Sequence, residues 1–353
     1  MNITNMYRMF ETSLLGLLGG CLFYLLDFPL PWVLGAMTFV MLWQGFTKRE
    51  SYWPNAIKNS GFIILGTYFG LYFTAETFFI VGPNFISYVF LTIILITISI
   101  FISSTVTNWI NVDKITSVFG SIPGGLTEMT LASENLNAES SLVVIFQTVR
   151  LLTVLFIVPS AIVYFFSGSA GNIGGILASQ SMVYGGWNYL WFTLPAITGI
   201  LLQNKIPAGL VIGPLAITAI LNIGSVDLAS IPHFLLIAGQ ISVGIGLGKN
   251  ISFADLKKGG KYCLVYFAIA LTLIIISFGL GAVLANFTTL NLATAILSVA
   301  PGGLIEMVLT ASMVGADPAI VSALQLTRIL LIVIFVPPFL KWYFRKKVEQ
   351  TAA

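Results

Sequence analysis

Residues 123–129 read Pro-Gly-Gly-Leu-Thr-Glu-Met, and residues 301–307 read Pro-Gly-Gly-Leu-Ile-Glu-Met. The difference in numbering between the two copies (301 − 123 = 178) is called the repeat offset below. Each copy places a helix-breaking Pro-Gly-Gly beside an ionisable glutamate in otherwise apolar sequence. A membrane interior tolerates irregular backbone and ionisable side chains only where they are buried in protein or line a cavity. We therefore interpret both copies as parts of a working site.

The composition places the chain in a membrane. Of its 353 residues, 57% are hydrophobic and only 8% are charged, which is too little polar surface for a water-soluble protein of this length. The chain contains one histidine, His233, and two cysteines, Cys21 and Cys263, which fall in apolar segments. This usage argues against a disulfide framework, a multi-histidine metal site and the oxygen chemistry of a membrane oxygenase.

Ten apolar stretches have about the length that a hydrocarbon layer of roughly 30 Å selects. Two further apolar pieces, at 114–134 and 292–314, are each interrupted by a Pro-Gly-Gly. The ten predicted spans are 13–26, 30–46, 56–74, 84–108, 141–167, 188–203, 208–223, 234–248, 262–287 and 319–341.

The basic residues predict the topology, because short cytoplasmic loops carry an excess of Lys and Arg. If the N-terminus is inside and both Pro-Gly-Gly pieces dip in and return, 14 of the 16 basic residues are cytoplasmic. The other two, Arg150 and Arg328, lie within spans. This arrangement predicts re-entrant hairpins and cytoplasmic termini. The alternative is that each piece is a broken helix that crosses the membrane.

The repeat offset holds well beyond the motif. Since five spans per repeat is an odd number, the second repeat is expected to be inverted relative to the first, as in many secondary transporters. The sequence thus predicts an all-α polytopic membrane protein with a first inverted repeat at 1–167, an external Gly-rich linker at 168–187, a second repeat at 188–345 and a cytoplasmic tail at 346–353. Matched pairs include Pro29 with Pro207, Gly35 with Gly213, Gly66 with Gly244, Gly70 with Gly248, Ser99 with Ser277, Asn108 with Asn286 and Pro159 with Pro337.

Glu128 and Glu306 each follow the last glycine of their motif by three residues, in the first turn of the next half-helix. The helix dipole there favours the ionised carboxylate, whereas desolvation favours the protonated form. A titrating glutamate would carry protons, and an ionised one beside unwound carbonyls would coordinate Na⁺. Alternatively, each glutamate only caps its half-helix or pairs with an arginine.

Arg150 and Arg328 are each expected near the middle of a span, with a glutamine three residues earlier on the same helix face. An arginine at that depth needs a partner. It is either locked in an ion pair with Glu128 or Glu306, or its guanidinium also binds an anionic substrate. The candidate substrate- and ion-binding residues are Gly124, Gly125, Thr127, Glu128, Gln147, Arg150, Gly302, Gly303, Glu306, Gln325, Arg328, Asn108 and Asn286.

The doubled Pro-Gly-Gly-Leu-x-Glu-Met with a downstream Gln-x-x-Arg resembles the AbrB membrane-protein family, over about residues 10 to 345. Members of that family carry a tandem duplication and have been labelled regulators of gene expression or ammonia monooxygenases. The family also looks related to the grouping of cation/proton antiporters and anion transporters. That grouping's Leu/Ile-Pro and Leu-Gly helix junction is echoed by Phe28-Pro29 with Leu34-Gly35 and by Ile206-Pro207 with Ile212-Gly213. The resemblance implies that the broken helices cross the membrane, in contrast to the hairpins predicted above.

We hypothesise an ion-coupled secondary transporter of a small organic anion, in a bacterial cytoplasmic membrane. It would use Na⁺ or H⁺ as the coupling ion and no cofactor or resident metal. The alternatives are a cation/proton antiporter and a membrane protein that regulates gene expression indirectly. The sequence contains no nucleic-acid-binding surface or motif. The expected partners are the lipid bilayer and a small substrate, and glycine-rich helix faces leave room for a homodimer.

Overall fold

The computed structural model describes residues 3–124, 126–134, 136, 138–166, 187–224 and 226–351. All regular elements in these ranges are helical, including a 3₁₀ turn at Asn188–Phe192. Apart from Trp187, the predicted linker lies outside the described residues. The α-helices are α1 Ile3–Leu25, α2 Pro31–Thr47, α3 Asn55–Gly70, α4 Ala75–Val106, α5 Lys114–Ser121, α6 Leu126–Glu134, α7 Ser140–Phe166, α8 Thr193–Leu202, α9 Gly209–Ile223, α10 His233–Lys249, α11 Phe253–Phe287, α12 Leu292–Val299, α13 Leu304–Val314 and α14 Pro318–Thr351.

Among the described residues, four helices are long and apolar enough to cross a membrane by length and composition: Ala75–Val106, Ser140–Phe166, Asp255–Phe287 and Pro318–Phe344. Each of the ten predicted spans overlaps a helix, because the apolar runs that defined the spans also form the helices. These lengths and compositions are consistent with a helical membrane protein, and the number of crossings stays a prediction.

The chain forms two compact units, and each unit contains segments from both halves of the sequence. Unit 1 comprises Met1–Gly82, Pro159–Ala254 and Ile305–Ser322. Unit 2 comprises Pro83–Val158, Asp255–Leu304 and Ala323–Ala353. The compact units thus differ from the sequence repeats, which divide the chain near its middle.

Unit 1 contains close contacts between helices from the first and second halves of the sequence. The same contact occurs twice, with the roles of the two halves exchanged. Helix α3 packs on α9, where a Cβ on Gly66 would lie 2.5 Å from the carbonyl oxygen of Val211. Helix α10 packs on α2, where a Cβ on Gly244 would clash with the carbonyl oxygen of Val33. Gly244 is the repeat counterpart of Gly66, and Val211 is the repeat counterpart of Val33. Glycine at these positions lets helix backbones approach closely.

Unit 2 contains both Pro-Gly-Gly breaks, with all of the first motif-carrying piece and the first helix of the second piece; from Ile305 onward α13 belongs to unit 1. Each piece is a pair of short helices, α5 with α6 and α12 with α13, separated by non-helical residues. Equivalent residues begin the first helix of each pair: Asp113 accepts hydrogen bonds from backbone N–H groups of α5, and Asn291 accepts one from α12. Such N-caps satisfy donors that a helix start leaves unpaired. A cluster of buried apolar side chains packs α5 against α14, including Phe119, Ile122, Ile332 and Val336.

Candidate functional site

The first helix break is anchored by two side chains of α7. Gln147 Nε2 donates to the carbonyl oxygens of Phe119 at 2.5 Å and Ile122 at 3.0 Å. Arg150 donates through Nη1 to the Ile122 carbonyl and through Nη2 to the Gly124 carbonyl, the latter at 3.1 Å. The Ile122 oxygen also accepts the Gly124 N–H at 2.7 Å. Three donors therefore converge on the carbonyl that precedes Pro123.

The second break has the same arrangement. Gln325 Nε2, on α14, donates to the carbonyls of Leu297 at 2.6 Å and Ala300 at 3.2 Å. Arg328 donates through Nη1 to the Ala300 carbonyl and through Nη2 to the Gly302 carbonyl, the latter at 2.5 Å. The Gly302 N–H donates to the Ala300 carbonyl at 2.8 Å. Every donor and acceptor in this set is the repeat counterpart of one in the first break.

Local chemistry explains this geometry. The N–H of the second residue after Ile122 and Ala300 bonds back across one proline, which is a γ-turn that the fixed φ of proline suits. The helix before each break ends there, and its last carbonyls lack intrahelical partners and carry partial negative charge. A guanidinium and a carboxamide from a neighbouring helix supply the missing donors.

The polar groups at the two breaks are withdrawn from solvent. Gln147, Gln325 and Arg328 are at most 2% exposed, and Arg150 is half-buried. The first break lies close to the helix that carries Arg328, since a Cβ on Gly124 would lie 3.1 Å from Ile332, four residues after Arg328 on α14. The positive charge of Arg328 acts on the Arg150 guanidinium. The acidic side chains that the structure describes in unit 2 are elsewhere: Glu134 and Glu139 are exposed, Asp113 caps α5, and Asp255 pairs with Lys258 at 3.3 Å.

Four buried atoms of this cluster have no hydrogen-bond partner: Oε1 of Gln147 and Gln325, and Nε of Arg150 and Arg328. An unsatisfied buried donor or acceptor costs about 1–3 kcal/mol, and more when it is charged. The same two atom types are left unpaired at both breaks. This repetition indicates that the unpaired atoms are a feature of the fold.

A buried tyrosine contacts the helix before each break, and it comes from the other half of the sequence. The Tyr88 hydroxyl donates to the Ser298 carbonyl at 3.0 Å, and the Tyr266 hydroxyl donates to the Ser117 hydroxyl at 2.8 Å. The two tyrosines are also repeat counterparts of each other (266 − 88 = 178). The sequence reasoning missed them, although the repeat offset could have found them.

The other predicted site residues are placed as follows. Glu306 is the third residue of α13 in unit 1 and is 5% exposed, and its backbone carbonyl accepts the Thr310 hydroxyl at 2.7 Å. Gly303 lies between the second break and α13. Gly125 and the side chains of Thr127 and Glu128 lie outside the described residues. Asn108 and Asn286 are exposed near the ends of α4 and α11, so the structure does not bring them into the buried cluster.

Within the described ranges, no group of three or more His, Cys, Asp or Glu side chains could bind a metal ion. Cys21 and Cys263 are both free.

Replacing Gln325 with methionine is expected to lower the free energy of unfolding by about 1–3 kcal/mol, because the buried Leu297 carbonyl loses its side-chain donor. Ser322→Ala is the matched control, since Ser322 is also fully buried on α14 but bonds only within its own helix, to the Ala319 carbonyl. Thermal unfolding of the two variants in detergent measures the difference. Equal stability of both variants would contradict an anchoring role for Gln325.

The part of the chain that the structure describes has four long apolar helices and two buried, polar helix breaks, which is consistent with a helical membrane protein. The chain belongs to the AbrB family. The model of that family, described as "Transition state regulatory protein AbrB", matches residues 32–344.

Two relatives are similar over most of the chain. The "Uncharacterized protein YhjN" of Bacillus subtilis (strain 168) is 24% identical over 249 residues, which cover 64% of this chain and 63% of the relative. The "Putative regulator AbrB" of Escherichia coli (strain K12) is 26% identical over 268 residues, which cover 70% of this chain and 72% of the relative. No solved structure matches the chain.

Proposed function

We propose that this protein is an ion-coupled secondary active transporter of a small organic anion, located in a bacterial cytoplasmic membrane with both termini in the cytoplasm. The observation that carries the proposal is the pair of neighbouring guanidinium groups at the helix breaks of unit 2. Their terminal nitrogens bind carbonyl oxygens, and each Nε remains unpaired. The two guanidinium groups therefore offer an anionic ligand both positive charge and unpaired hydrogen-bond donors.

The energetic argument favours an anionic ligand. A buried arginine in a membrane costs from a few to more than ten kcal/mol when it lacks compensation. Backbone carbonyls and the helix dipoles offset part of this cost, but the positive charge of Arg328 adds repulsion at Arg150. An anion bound between them would remove that repulsion, and the guanidinium fork matches a carboxylate.

The proposed coupling group is Glu306, together with its sequence counterpart Glu128. Glu306 is a buried carboxylate in the first turn of a short helix. Such a group either exchanges a proton or helps to coordinate Na⁺. The proposal leaves the choice between H⁺ and Na⁺ to the experiment below.

We further propose that the chain is a pair of inverted repeats with five transmembrane helices each, and that each Pro-Gly-Gly break re-enters or crosses the membrane near its midplane. The exchanged contacts of unit 1 support this topology. Gly66 meets Val211, and the equivalent Gly244 meets Val33, as a two-fold relation between the halves requires. The matched hydrogen bonds at the two breaks give the same support in unit 2.

The printed names of the family and of the Escherichia coli relative favour a second candidate function, in regulation. For this chain we propose that any such regulation is indirect and follows from the solute that it transports.

Reconstitution in liposomes tests the transport proposal. Charge movement would be recorded on a solid-supported membrane while small carboxylates are presented with and without Na⁺ and at two pH values. We expect a current that requires both a carboxylate and one of the two cations. A current driven by a Na⁺ or H⁺ gradient without any carboxylate would indicate a cation/proton antiporter instead. The absence of any current from folded protein would favour a regulatory function.

Glu306→Gln is expected to abolish the coupled current, because glutamine keeps the shape of the side chain but neither ionises nor titrates. The matched control is Glu76→Gln, which neutralises an exposed glutamate in the first turn of α4 and should leave the current unchanged. A Glu306→Gln variant whose current still depends on the same cation would remove Glu306 from the coupling mechanism.

A further inference from the structure

We infer that the substrate is a hydroxylated dicarboxylate, held by Nε of Arg150 and Arg328 and by Oε1 of Gln147 and Gln325. The inference rests on the proposed transport function and deepens it. Its basis is the set of four buried atoms that lack hydrogen-bond partners, because their chemistry describes the groups that a ligand would have to present.

The arginines specify the negative charge of the ligand. Each guanidinium uses its terminal nitrogens on the carbonyls of its break, while Nε, on the neighbouring edge, has no partner. A guanidinium edge is a donor to carboxylate oxygens. Because the first break and Arg328 lie in the same unit, with Gly124 close to Ile332 on the helix of Arg328, a ligand with two carboxylates would neutralise both guanidinium groups.

The glutamines specify a hydrogen-bond donor on the ligand. At each break the carboxamide nitrogen faces two carbonyl oxygens, which only accept, so the orientation of the amide is fixed. Oε1 therefore faces away from the break and can only accept. A plain carboxylate has no donor for it, whereas a hydroxyl does. An ammonium group also donates, but it would add positive charge beside two guanidinium groups.

Because the site is repeated in the two halves of the sequence, the ligand is expected to carry two groups of each kind. Each half of the sequence contributes one unpaired donor and one unpaired acceptor to unit 2. A ligand with two carboxylates and two hydroxyls would satisfy all four atoms. In this structure the four atoms are closed off from solvent, so the ligand enters only when the surrounding helices open, as alternating access requires.

Three probes that share a four-carbon chain test this inference: succinate, malate and tartrate, with zero, one and two hydroxyls. The half-saturating concentration of each would be measured from charge movement of the full chain in liposomes. We expect each added hydroxyl to lower this concentration by about tenfold, because a buried acceptor gains its donor.

Each other outcome has a distinct meaning. Equal responses to the three probes would overturn the inference and leave the transport proposal intact. No current with any of the three probes, together with a coupled current from other carboxylates, would also overturn the inference and leave the transport proposal intact. Silence toward every carboxylate would overturn the inference and the proposed function together.

Two variants separate the roles of the side chains. Gln325→Met removes one acceptor, so tartrate should lose its advantage over malate. Arg328→Lys retains a charge and a donor for the carbonyls but removes the Nε edge, so it should weaken all three probes by a similar factor. A full hydroxyl dependence in Gln325→Met would contradict the inference, and if that variant fails to fold, the series in the unmodified protein decides.

Discussion

Arg328→Met is expected to abolish substrate-driven charge movement, with a loss greater than about 100-fold. The proposed charge pair joins the Arg328 guanidinium to a carboxylate of the substrate. Truncating one member of a buried, hydrogen-bonded charge pair costs about 2–5 kcal/mol or more. The variant should still fold, because the Ala300 carbonyl keeps the Gln325 and Gly302 donors and because a costly buried charge is removed. The same liposome recordings, with thermal unfolding in detergent, measure both effects.

The matched control is Lys341→Met, which removes an exposed positive charge from the same helix and should leave the current unchanged. Arg150→Met should resemble Arg328→Met, because the hydrogen bonds of Arg150 at the first break are equivalent. Wild-type currents in a folded Arg328→Met protein would assign Arg328 to anchoring the break alone.

Gly35→Ala is expected to destabilise the protein by about 3 kcal/mol or more. A Cβ at Gly35, in α2, would overlap the carbonyl oxygen of Gly19 and come within 3.0 Å of the Gly20 nitrogen, in α1. Overpacking typically costs about 1–3 kcal/mol, and backbone atoms yield less easily than a flexible side chain. Thermal unfolding in detergent should therefore show a large loss of stability, or the variant should fail to accumulate.

Gly279→Ala is the matched control for this substitution. Gly279 is also a helical glycine, in α11, but a Cβ there would meet no atom within 4 Å. Alanine should be neutral or stabilise by up to about 1 kcal/mol, because it favours the helix over glycine. Similar losses in both variants would show that helix contact at Gly35 is not the cause.

Much of the fold could be predicted because a bilayer leaves few choices. Apolar runs located the helices, and each Pro-Gly-Gly located a break between short helices. The i, i+3 spacing correctly placed Gln147 with Arg150, and Gln325 with Arg328, on one face. Family membership, predicted from these motifs, is confirmed by the match over residues 32–344.

The tertiary partners were harder to predict. The sequence offered a glutamate or a substrate as the partner of each arginine, whereas the structure places backbone carbonyls at the terminal nitrogens. Almost every residue has a peptide carbonyl, whatever its side chain. The residue types therefore do not indicate which carbonyls lack a helical partner and can bind an arginine. Asn108 and Asn286 lie at exposed helix ends, where polar residues near the ends of apolar runs are also found, and their role in binding stays a prediction. Tyr88 and Tyr266 went unnoticed because tyrosine is an ordinary residue in an apolar helix.

The exchange of glycine contacts in unit 1 has a consequence for biosynthesis. Gly66 packs against Val211, and Val33 packs against Gly244. In both contacts the second residue lies in the second half of the chain and is synthesised later. Such non-local pairing raises the contact order and slows folding. While the ribosome is still translating the second half, Gly66 of α3 and Val33 of α2 therefore lack the residues against which they pack in the finished protein.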